Sequence, residues 1–469
     1  MSIKPKDIEI PPGNPFKNCK LGREKYAKVL TGIVSTYSDG FVLAVNNEWG
    51  TGKTTFVKMW QQQLENQNFK TRYFNAWEND YNSNPLAALI SELKMPTHDF
   101  TNTDLDSVLK KAAVVSKSVL PAFAKALASR YFDTELITDA FKNTTEAASE
   151  IFKEQISEHE KKKKGLIEFR NEIEKYLSKY SDGKPLVFII DELDRCRPDY
   201  AVEVLETVKH LFSVSGIVFV LSIDKQQLCN AVKGFYGSHE INADEYLRRF
   251  IDLEFVIPSP TTGDYCKYLY EYFDFDSYFK SIQRQQYYQF SLDSEDFQNF
   301  SAILFENGML NLRQQERVFA HAVVVLNLFK ENAFLFPTIY ILLIYIRFVN
   351  AHLYRRIKEK QLSPQNLIDE LKKYLPEESK KTDDHKIIYT IALIVFLYHN
   401  SYISIHGDWK LWDYDSETEL MQLYVELNFV SPELDLLFQK YLLVINKEFT
   451  VVKLNYLLEI IDLTENLNV

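Results

Sequence analysis

The chain has 469 residues, of which 46% are hydrophobic and 25% are charged. This composition is typical of a globular protein of two or three domains, and it excludes a disordered chain and a bundle of membrane helices. The net charge of −11 disfavours a protein that binds nucleic acid through general electrostatic attraction.

Residues 1–20 have the composition of an extended arm. The start, MSIKPKDIEIPPGNPF, has no apolar h-region, so we expect no signal peptide and a cytoplasmic protein. The four cysteines lack CxxC spacing, which favours reduced thiols over a zinc site. Apolar positions at helical spacing then predict a helix over residues 21–38, and the run FVLAVNN predicts a buried strand of a parallel sheet.

A phosphate-binding pattern follows that strand. Its residues are Asn47, Glu48, Trp49, Gly50, Thr51, Gly52, Lys53 and Thr54, and their second half matches GxxxxGK[ST]. Asn47 replaces the first glycine, and asparagine tolerates left-handed backbone better than other residues with a side chain. The loop N–H groups and the next helix N-terminus would surround phosphate, Lys53 would reach the β- and γ-phosphates, and Thr54 would ligate Mg²⁺. We therefore predict a nucleotide site over Asn47–Thr55.

The next part of the chain predicts a strand at KTRYFNAW, a helix over 85–93 and then a helical insertion over 96–180. The insertion is rich in Lys, Glu, Ala and Ser and shows no strand pattern. Its lysine run, 161–164, fits either a solvated helix end or a contact with phosphate or acidic lipid.

The sheet resumes in KPLVFIIDELDRC, an apolar strand that ends in carboxylates. Asp191 at the strand end would hold Mg²⁺ through water beside Thr54. Glu192 or Asp194 would orient or deprotonate the attacking water, and the sequence leaves both open as the base. These residues give the second half of a nucleotide-hydrolysing site.

Two further strands, GIVFVLSID and IDLEFVIP, complete an α/β core of parallel strands over 21–95 and 181–260. Ser222 or Asp224 at the end of the first would sense the γ-phosphate or cap the next helix. Five arginines are candidates for stabilising phosphoryl transfer or for plain surface ion pairs: Arg195, Arg197, Arg248, Arg249 and Arg313, with the last three preferred.

Residues 261–469 predict an all-helical C-terminal domain, in segments 262–300, 303–330, 335–359, 364–374, 386–399 and 417–465. Its many Phe and Tyr residues fit a core better than a stacking platform for bases. Two apolar runs, Phe334–Ile346 and Ile387–Tyr398, are shorter than the ~20 residues that cross a bilayer. We expect buried core helices there, with membrane association as the alternative.

Together the segments EWGTGKTTF, YFNAWEND, IIDELDRCRPD, YLRRFIDLEFVIPSP and NLRQQERVFAHAV resemble the KAP family of P-loop NTPases. The resemblance covers residues 14–350 in the expected order and implies an ATPase core similar to AAA+ or STAND proteins. It also implies a bacterial setting, often in phage defence. Family members often carry membrane helices between the second strand and the acidic strand end, whereas the insertion here lacks an uncharged run of that length.

The resulting hypothesis is a Mg²⁺-dependent ATPase that acts as a nucleotide-driven switch or forms homo-oligomers, with a separate effector protein. ATP is favoured over GTP because no Asn-Lys-x-Asp guanine motif is evident. A membrane-associated NTPase and one stimulated by nucleic acid are the alternatives. From FNAW, we expect Trp77 to pack near the nucleotide or the acidic strand without a reacting role.

Overall fold

A computed structural model describes residues 8–37, 40–81, 84–93, 107–112, 147–180, 183–211, 213–376, 381–407, 410–415, 420–429, 431–449 and 452–464. The chain divides into two compact units, Ile8–Ser259 and Pro260–Val469. The finer predicted division into arm, interrupted core, insertion and helical domain stays a prediction.

The first unit alternates strands and helices. In chain order its elements are α1 (Glu24–Thr36), β1 (Phe41–Asn46), α2 (Lys53–Asn66), β2 (Thr71–Asn75), α3 (Pro85–Glu92), α4 (Ala147–Tyr180), β3 (Leu186–Asp191), a 3₁₀ turn (Leu193–Arg195), α5 (Pro198–Leu211), β4 (Ile217–Ile223), α6 (Lys225–Tyr236), α7 (Ala243–Leu247) and β5 (Leu253–Val256).

The five strands form one parallel sheet in the order β2-β3-β4-β1-β5. Strands β3 and β4 are buried at every position because helices cover both faces of the sheet. Side chains of one face pack with α1 and α2, and those of the other pack with α3 to α7. The predicted fold class, a parallel P-loop NTPase sheet with a helical C-terminal part, is confirmed.

This topology places a crevice at the carboxyl edge of the sheet. Neighbouring strands β1 and β4 continue into α2 and α6, which lie on opposite faces. In open α/β sheets, ligands bind where the chain leaves neighbouring strands toward opposite faces. The loop after β1 and the residue pair Ser222 and Asp224 both lie at this edge.

The described parts of the predicted insertion are helical: residues 107–112 and α4. Helix α4 packs on the sheet through side chains at helical spacing, such as Phe169, Ile173 and Leu177. Of the lysine run, Lys163 and Lys164 are exposed. The apolar stretches near residues 113–124 lie outside the described residues.

The second unit consists mainly of helices. Its elements are α8 (Thr262–Tyr272), α9 (Asp276–Phe279), α10 (Ile282–Gln285), a 3₁₀ turn (Tyr288–Phe290), α11 (Asp293–Asn307), α12 (Leu312–Leu326), α13 (Pro337–Val349), α14 (Ala351–Lys358), α15 (Pro364–Lys372), α16 (Lys381–His406), β6 (Trp412–Asp415), β7 (Leu420–Leu423), α17 (Pro432–Glu448) and α18 (Asn455–Asp462).

Aromatic side chains form much of the core of this unit. Phe275, Phe297 and Phe319 are fully buried, and the rings of Phe275 and Phe297 lie 4.8 Å apart between centroids. Such ring pairs add attraction beyond the area that they bury. These rings are therefore part of the packed interior.

One helix prediction for this unit is wrong in part. The segment predicted as a helix over 417–465 begins with strand β7, which pairs antiparallel with β6, and becomes helical only at Pro432. A short apolar run fits either period, and pairing with a second strand decides the outcome. The segment 262–300, predicted to be helical, consists of several short helices, and a left-handed residue at Asp274 lies between the first two.

Helix α16 is longer than the apolar run from which it was predicted. The run Ile387–Tyr398 is flanked by Lys386 and His399, yet the helix continues through both. Its segment Asp384–His406 is long and apolar enough to cross a bilayer. An 18-residue window within this segment has a mean hydropathy of 1.4, but 67% of that window is buried inside the protein. Burial of every residue from Thr390 to His399 is what a core helix shows.

Candidate nucleotide site

The loop between β1 and α2 has the geometry of an anion-binding turn. Gly50 and Gly52 have φ values of 82° and 76°, a left-handed region that glycine enters without steric cost. Gly52 begins α2, and no side chain caps that helix. The first backbone N–H groups of α2 thus stay available to an anion at the positive end of the helix.

Asn47 replaces the first glycine for a different reason from the one predicted. Its backbone is not left-handed; the left-handed positions of the loop are the two glycines. Its side chain fastens the loop instead, because Nδ2 donates to Ile257 O at 2.8 Å and Oδ1 accepts from Glu48 N at 2.8 Å. The two hydrogen bonds of the Asn47 amide thus stabilise the loop conformation at a position where the usual pattern has glycine.

Lys53 lies in the first turn of α2 and is only 8% exposed. Its ammonium folds back and donates to Asn47 O at 2.6 Å and to Glu48 O at 2.9 Å. Burial lowers the pKa of Lys53, while the carboxylates of Asp194, Asp224 and Asp191 act in the opposite direction. A buried ammonium bonded to loop carbonyls can exchange them for phosphate oxygens.

The other loop and helix residues follow from this arrangement. Thr51 is buried and its hydroxyl donates to Glu48 O at 2.8 Å, which closes the turn. Thr54 and Thr55 are half-buried in the first turn of α2, next to Lys53. Thr54 therefore has the position that a Mg²⁺ ligand requires in the predicted site.

Asp191 ends strand β3 and is 1% exposed. Its Oδ2 accepts a hydrogen bond from the Tyr73 hydroxyl at 2.9 Å, and its Oδ1 accepts one from Glu192 N at 3.0 Å. These two donors compensate the burial of the carboxylate. Burial raises the pKa of Tyr73, and the negative charge of Asp191 raises it further.

Glu192 has left-handed backbone, with φ at 60°, and its side chain is held from two sides. Asn75 Nδ2 donates to Glu192 Oε2 at 3.2 Å, and Arg195 Nη1 lies 2.8 Å from Glu192 Oε1. Asn75 is paired with Asp191 in the register of β2 and β3. Sequence reasoning assigned no chemical role to Asn75 or Tyr73; the available signal was their alternate spacing in a strand beside β3.

Asp194 faces the phosphate loop. The indole Nε1 of Trp49 donates to Asp194 Oδ2, and Trp49 N donates to Asp224 Oδ2 at 3.2 Å. Burial raises the pKa of Asp194, and the Trp49 hydrogen bond and Lys53 oppose the rise. Trp49 thus ties the loop to the ends of two strands.

The two candidate sensors differ. Asp224 caps α6 through Gln227 N at 3.2 Å while it also contacts the loop. Ser222 is paired with Asp191 in the register of β3 and β4, and it is fully buried. Within the described residues, its Oγ has no hydrogen-bond partner. A buried hydroxyl beside Asp191 that lacks a partner fits a site for phosphate or a hydrated cation.

The arginines are distributed over both units. Arg197 is engaged by Asp80, with Nε 2.7 Å from Oδ1. Arg248 is exposed and pairs with Asp244 at 3.1 Å, and Arg249 next to it is exposed too. Arg313 is exposed in the first turn of α12, in the second unit. A role of Arg248, Arg249 or Arg313 in catalysis stays a prediction.

A cavity of about 520 Å³ adjoins the loop at the crevice between β1 and β4. Asn47, Glu48, Asp224 and Lys225 contribute to its lining, together with Val256 from the end of β5. This volume is within the usual range of small-molecule sites, roughly 300–1,000 Å³. The edge of the sheet thus offers room next to the phosphate loop.

A parallel sheet of this strand order, with Lys53 at a helix N-terminus and a buried Asp191 on a nearby strand, defines a P-loop NTPase. The sequence profile of the KAP family P-loop domain matches residues 23–329. The chain belongs to this family, as its motifs predicted.

The other comparisons add less. No curated protein matches the chain. Among solved structures, the chain is similar to the Aeropyrum pernix ORC2 protein, solved as ADPNP–ADP complexes, at 14% identity and a TM-score of 0.35. The alignment covers 90% of this chain and 95% of that one.

Proposed function

We propose that this NTPase binds ATP with Mg²⁺ and hydrolyses it. One observation carries the proposal: Lys53, Asp191 and Glu192 converge at one edge of the sheet, where the uncapped N-terminus of α2 also points. Lys53 and the N–H groups of α2 would bind the phosphates, while Thr54 and Asp191 would hold Mg²⁺. Mg²⁺ would neutralise charge on the phosphates.

The geometry favours Glu192 over Asp194 as the residue that orients water. Asp194 is 7% exposed and committed to the indole of Trp49, so its role is to hold the loop. Glu192 lies one residue beyond Asp191, and its partners Asn75 and Arg195 are polar side chains that can move. A general base has to lie within hydrogen-bond reach of the attacking water, and Glu192 can turn toward that water when one of its partners moves.

Hydrolysis and binding by purified full-length variants test this proposal. We expect Lys53→Ala to lose nucleotide binding, and Glu192→Gln to bind ATP without turning it over. Lys70→Ala, which removes an exposed lysine of the same unit, should behave as wild type. Hydrolysis that Lys53→Ala leaves unchanged would overturn the proposal.

We further propose that ATP drives a switch or the assembly of several copies. The exposed arginines Arg248 and Arg249 are available to the nucleotide of a neighbouring copy, as is Arg313. Light scattering after size exclusion should show a larger species for Glu192→Gln with ATP than with ADP. An identical mass with ATP and with ADP contradicts the proposed assembly but leaves the proposed ATP hydrolysis untouched.

The biological setting is proposed from family membership: a cytoplasmic protein of bacterial phage defence that acts through a separate effector. Cells that carry the wild type should plate phage less efficiently than cells that carry Lys53→Ala. Equal plating across a panel of phages would refute it.

Membrane association is the second candidate, and the length of α16 is the observation that favours it. A carbonate wash distinguishes a membrane-associated protein from a cytoplasmic one. A protein that stays with the membrane pellet supports membrane association, and release into the supernatant supports a cytoplasmic protein.

A further inference from the structure

Both oxygens of the Glu192 carboxylate have side-chain partners. Oε1 pairs with Arg195 at 2.8 Å, Oε2 accepts from Asn75 at 3.2 Å, and the side chain is only 14% exposed. These two contacts fix the orientation of the carboxylate and place Arg195 directly against it. A base held in this way can turn toward an attacking water when one of the two contacts breaks.

Of the two partners, Arg195 is the one that can leave at low cost. Its side chain is 36% exposed, whereas Asn75 lies in strand β2 and its Oδ1 also accepts hydrogen bonds from Trp77 N and Glu78 N. The guanidinium lies 5.7 Å from the ring centroid of Trp77, whose side chain is 54% exposed. Arg195 thus rests between a carboxylate and an indole at the protein surface.

The 3₁₀ turn that carries Arg195 lies against the phosphate loop. Its middle residue, Asp194, accepts the indole hydrogen bond of Trp49, and the positive charge of Arg195 helps to lower the pKa of Lys53. A triphosphate beside Lys53 would bring several anionic oxygens near the guanidinium. Arginine binds phosphate through a planar fork of donors, more strongly than it binds a single carboxylate oxygen.

We propose that Arg195 has two positions, the observed one on Glu192 and a second on the γ-phosphate of bound ATP. The transfer frees Glu192 only when a γ-phosphate is present, so Arg195 couples recognition of ATP to release of the base. This inference rests on the proposed ATPase function. Arg197, two residues on, is held by Asp80 and takes no part.

Equilibrium binding tests the first consequence. With Mg²⁺, the wild type should bind a non-hydrolysable ATP analogue more tightly than ADP. Arg195→Ala should reduce this preference on the order of tenfold to a hundredfold, the value of hydrogen bonds to a charged group, and leave ADP affinity unchanged. Arg195→Lys, which keeps the charge without the fork, should fall between them. Arg197→Ala is the matched control and should retain the preference.

Tryptophan fluorescence tests the second consequence. When Arg195 leaves its place over Trp77, the indole loses a neighbouring cation. Trp49 in the phosphate loop responds to either nucleotide, so the emission change of the wild type should be larger with the analogue than with ADP. Trp77→Phe identifies the indole responsible for this difference by removing it, and Arg195→Ala should remove the difference as well.

The outcomes separate the inference from the proposed function. If the wild type binds neither ADP nor the analogue, both fall. If both bind but the preference survives Arg195→Ala, or Arg197→Ala loses it equally, only the inference falls. Faster hydrolysis by Arg195→Ala at unchanged analogue affinity also overturns it, because Arg195 would then be an inhibitory clamp without a phosphate position.

Discussion

The hydroxyl of Tyr73 offers a clean perturbation of the cation site. Tyr73→Phe removes one oxygen and leaves the ring, while Asp191 stays 1% exposed and loses the donor to its Oδ2. A hydrogen bond to a buried charged group contributes about 1.5–3 kcal/mol. We expect the free energy of unfolding of the first unit to fall by that amount in the absence of ligand.

Magnesium and nucleotide should offset much of this loss. With the hydroxyl gone, Asp191 Oδ2 is free for a water of the Mg²⁺ shell, and a ligand that binds only the folded state stabilises it. Urea denaturation in EDTA and with saturating Mg²⁺ and ADP measures both values. Tyr26→Phe, which changes another partly buried tyrosine of the same unit, is the matched control and should alter neither.

The reasoning is refuted if Tyr73→Phe matches the wild type in EDTA, since the hydrogen bond then contributes nothing. It is also refuted if the loss is unchanged by saturating ligand, because Asp191 would then not belong to the cation site.

Three further predictions concern charged groups. Burial lowers the pKa of Lys53, so ADP affinity should decline at a lower alkaline pH than it would with an ordinary lysine. Calorimetric titrations over rising pH should show this decline for the wild type, whereas Lys53→Ala should bind ADP weakly at every pH. In the second unit, Asp293 pairs with the fully buried Arg284. In urea denaturation, Asp293→Leu should lower the free energy of unfolding by about 3–5 kcal/mol, and the double variant Arg284→Met/Asp293→Leu should lower it by less. A double variant that is less stable than the single variant refutes this. Burial lowers the pKa of His321 from 6.5 to about 4, so the unfolded chain binds the proton first and up to roughly 3 kcal/mol of stability is lost as pH falls between these values; His321→Gln should flatten that dependence.

Local pattern predicted much of the nucleotide half of the molecule. The apolar runs that became β3 and β4 are buried at every position, and β1 is buried at all but its two end residues, so their composition alone indicates a sheet covered on both faces. Their polar ends predicted the edge at which Lys53 and Asp191 lie. The family itself was recognisable from the same short segments.

Prediction from the sequence failed where a short apolar segment fits both helical and strand periodicity. Strand β7 lay inside a predicted helix because a run of four residues cannot distinguish strand from helix without its partner β6. The extent of α16 was also missed. Its polar ends continue the helix, and burial against other helices of its unit, which the sequence does not show, is what distinguishes a core helix from a membrane span.

By itself the sequence determined which residues carry charge and flexibility at the site: the glycines of the loop, Lys53, and the carboxylates after β3. Only the tertiary structure decided what each of them contacts. The register of β2 and β3 brings Asn75 to Glu192 and Tyr73 to Asp191, although these pairs are 117 and 118 residues apart in the sequence. Contacts between distant residues arise from how strands pair, and no local pattern encodes them.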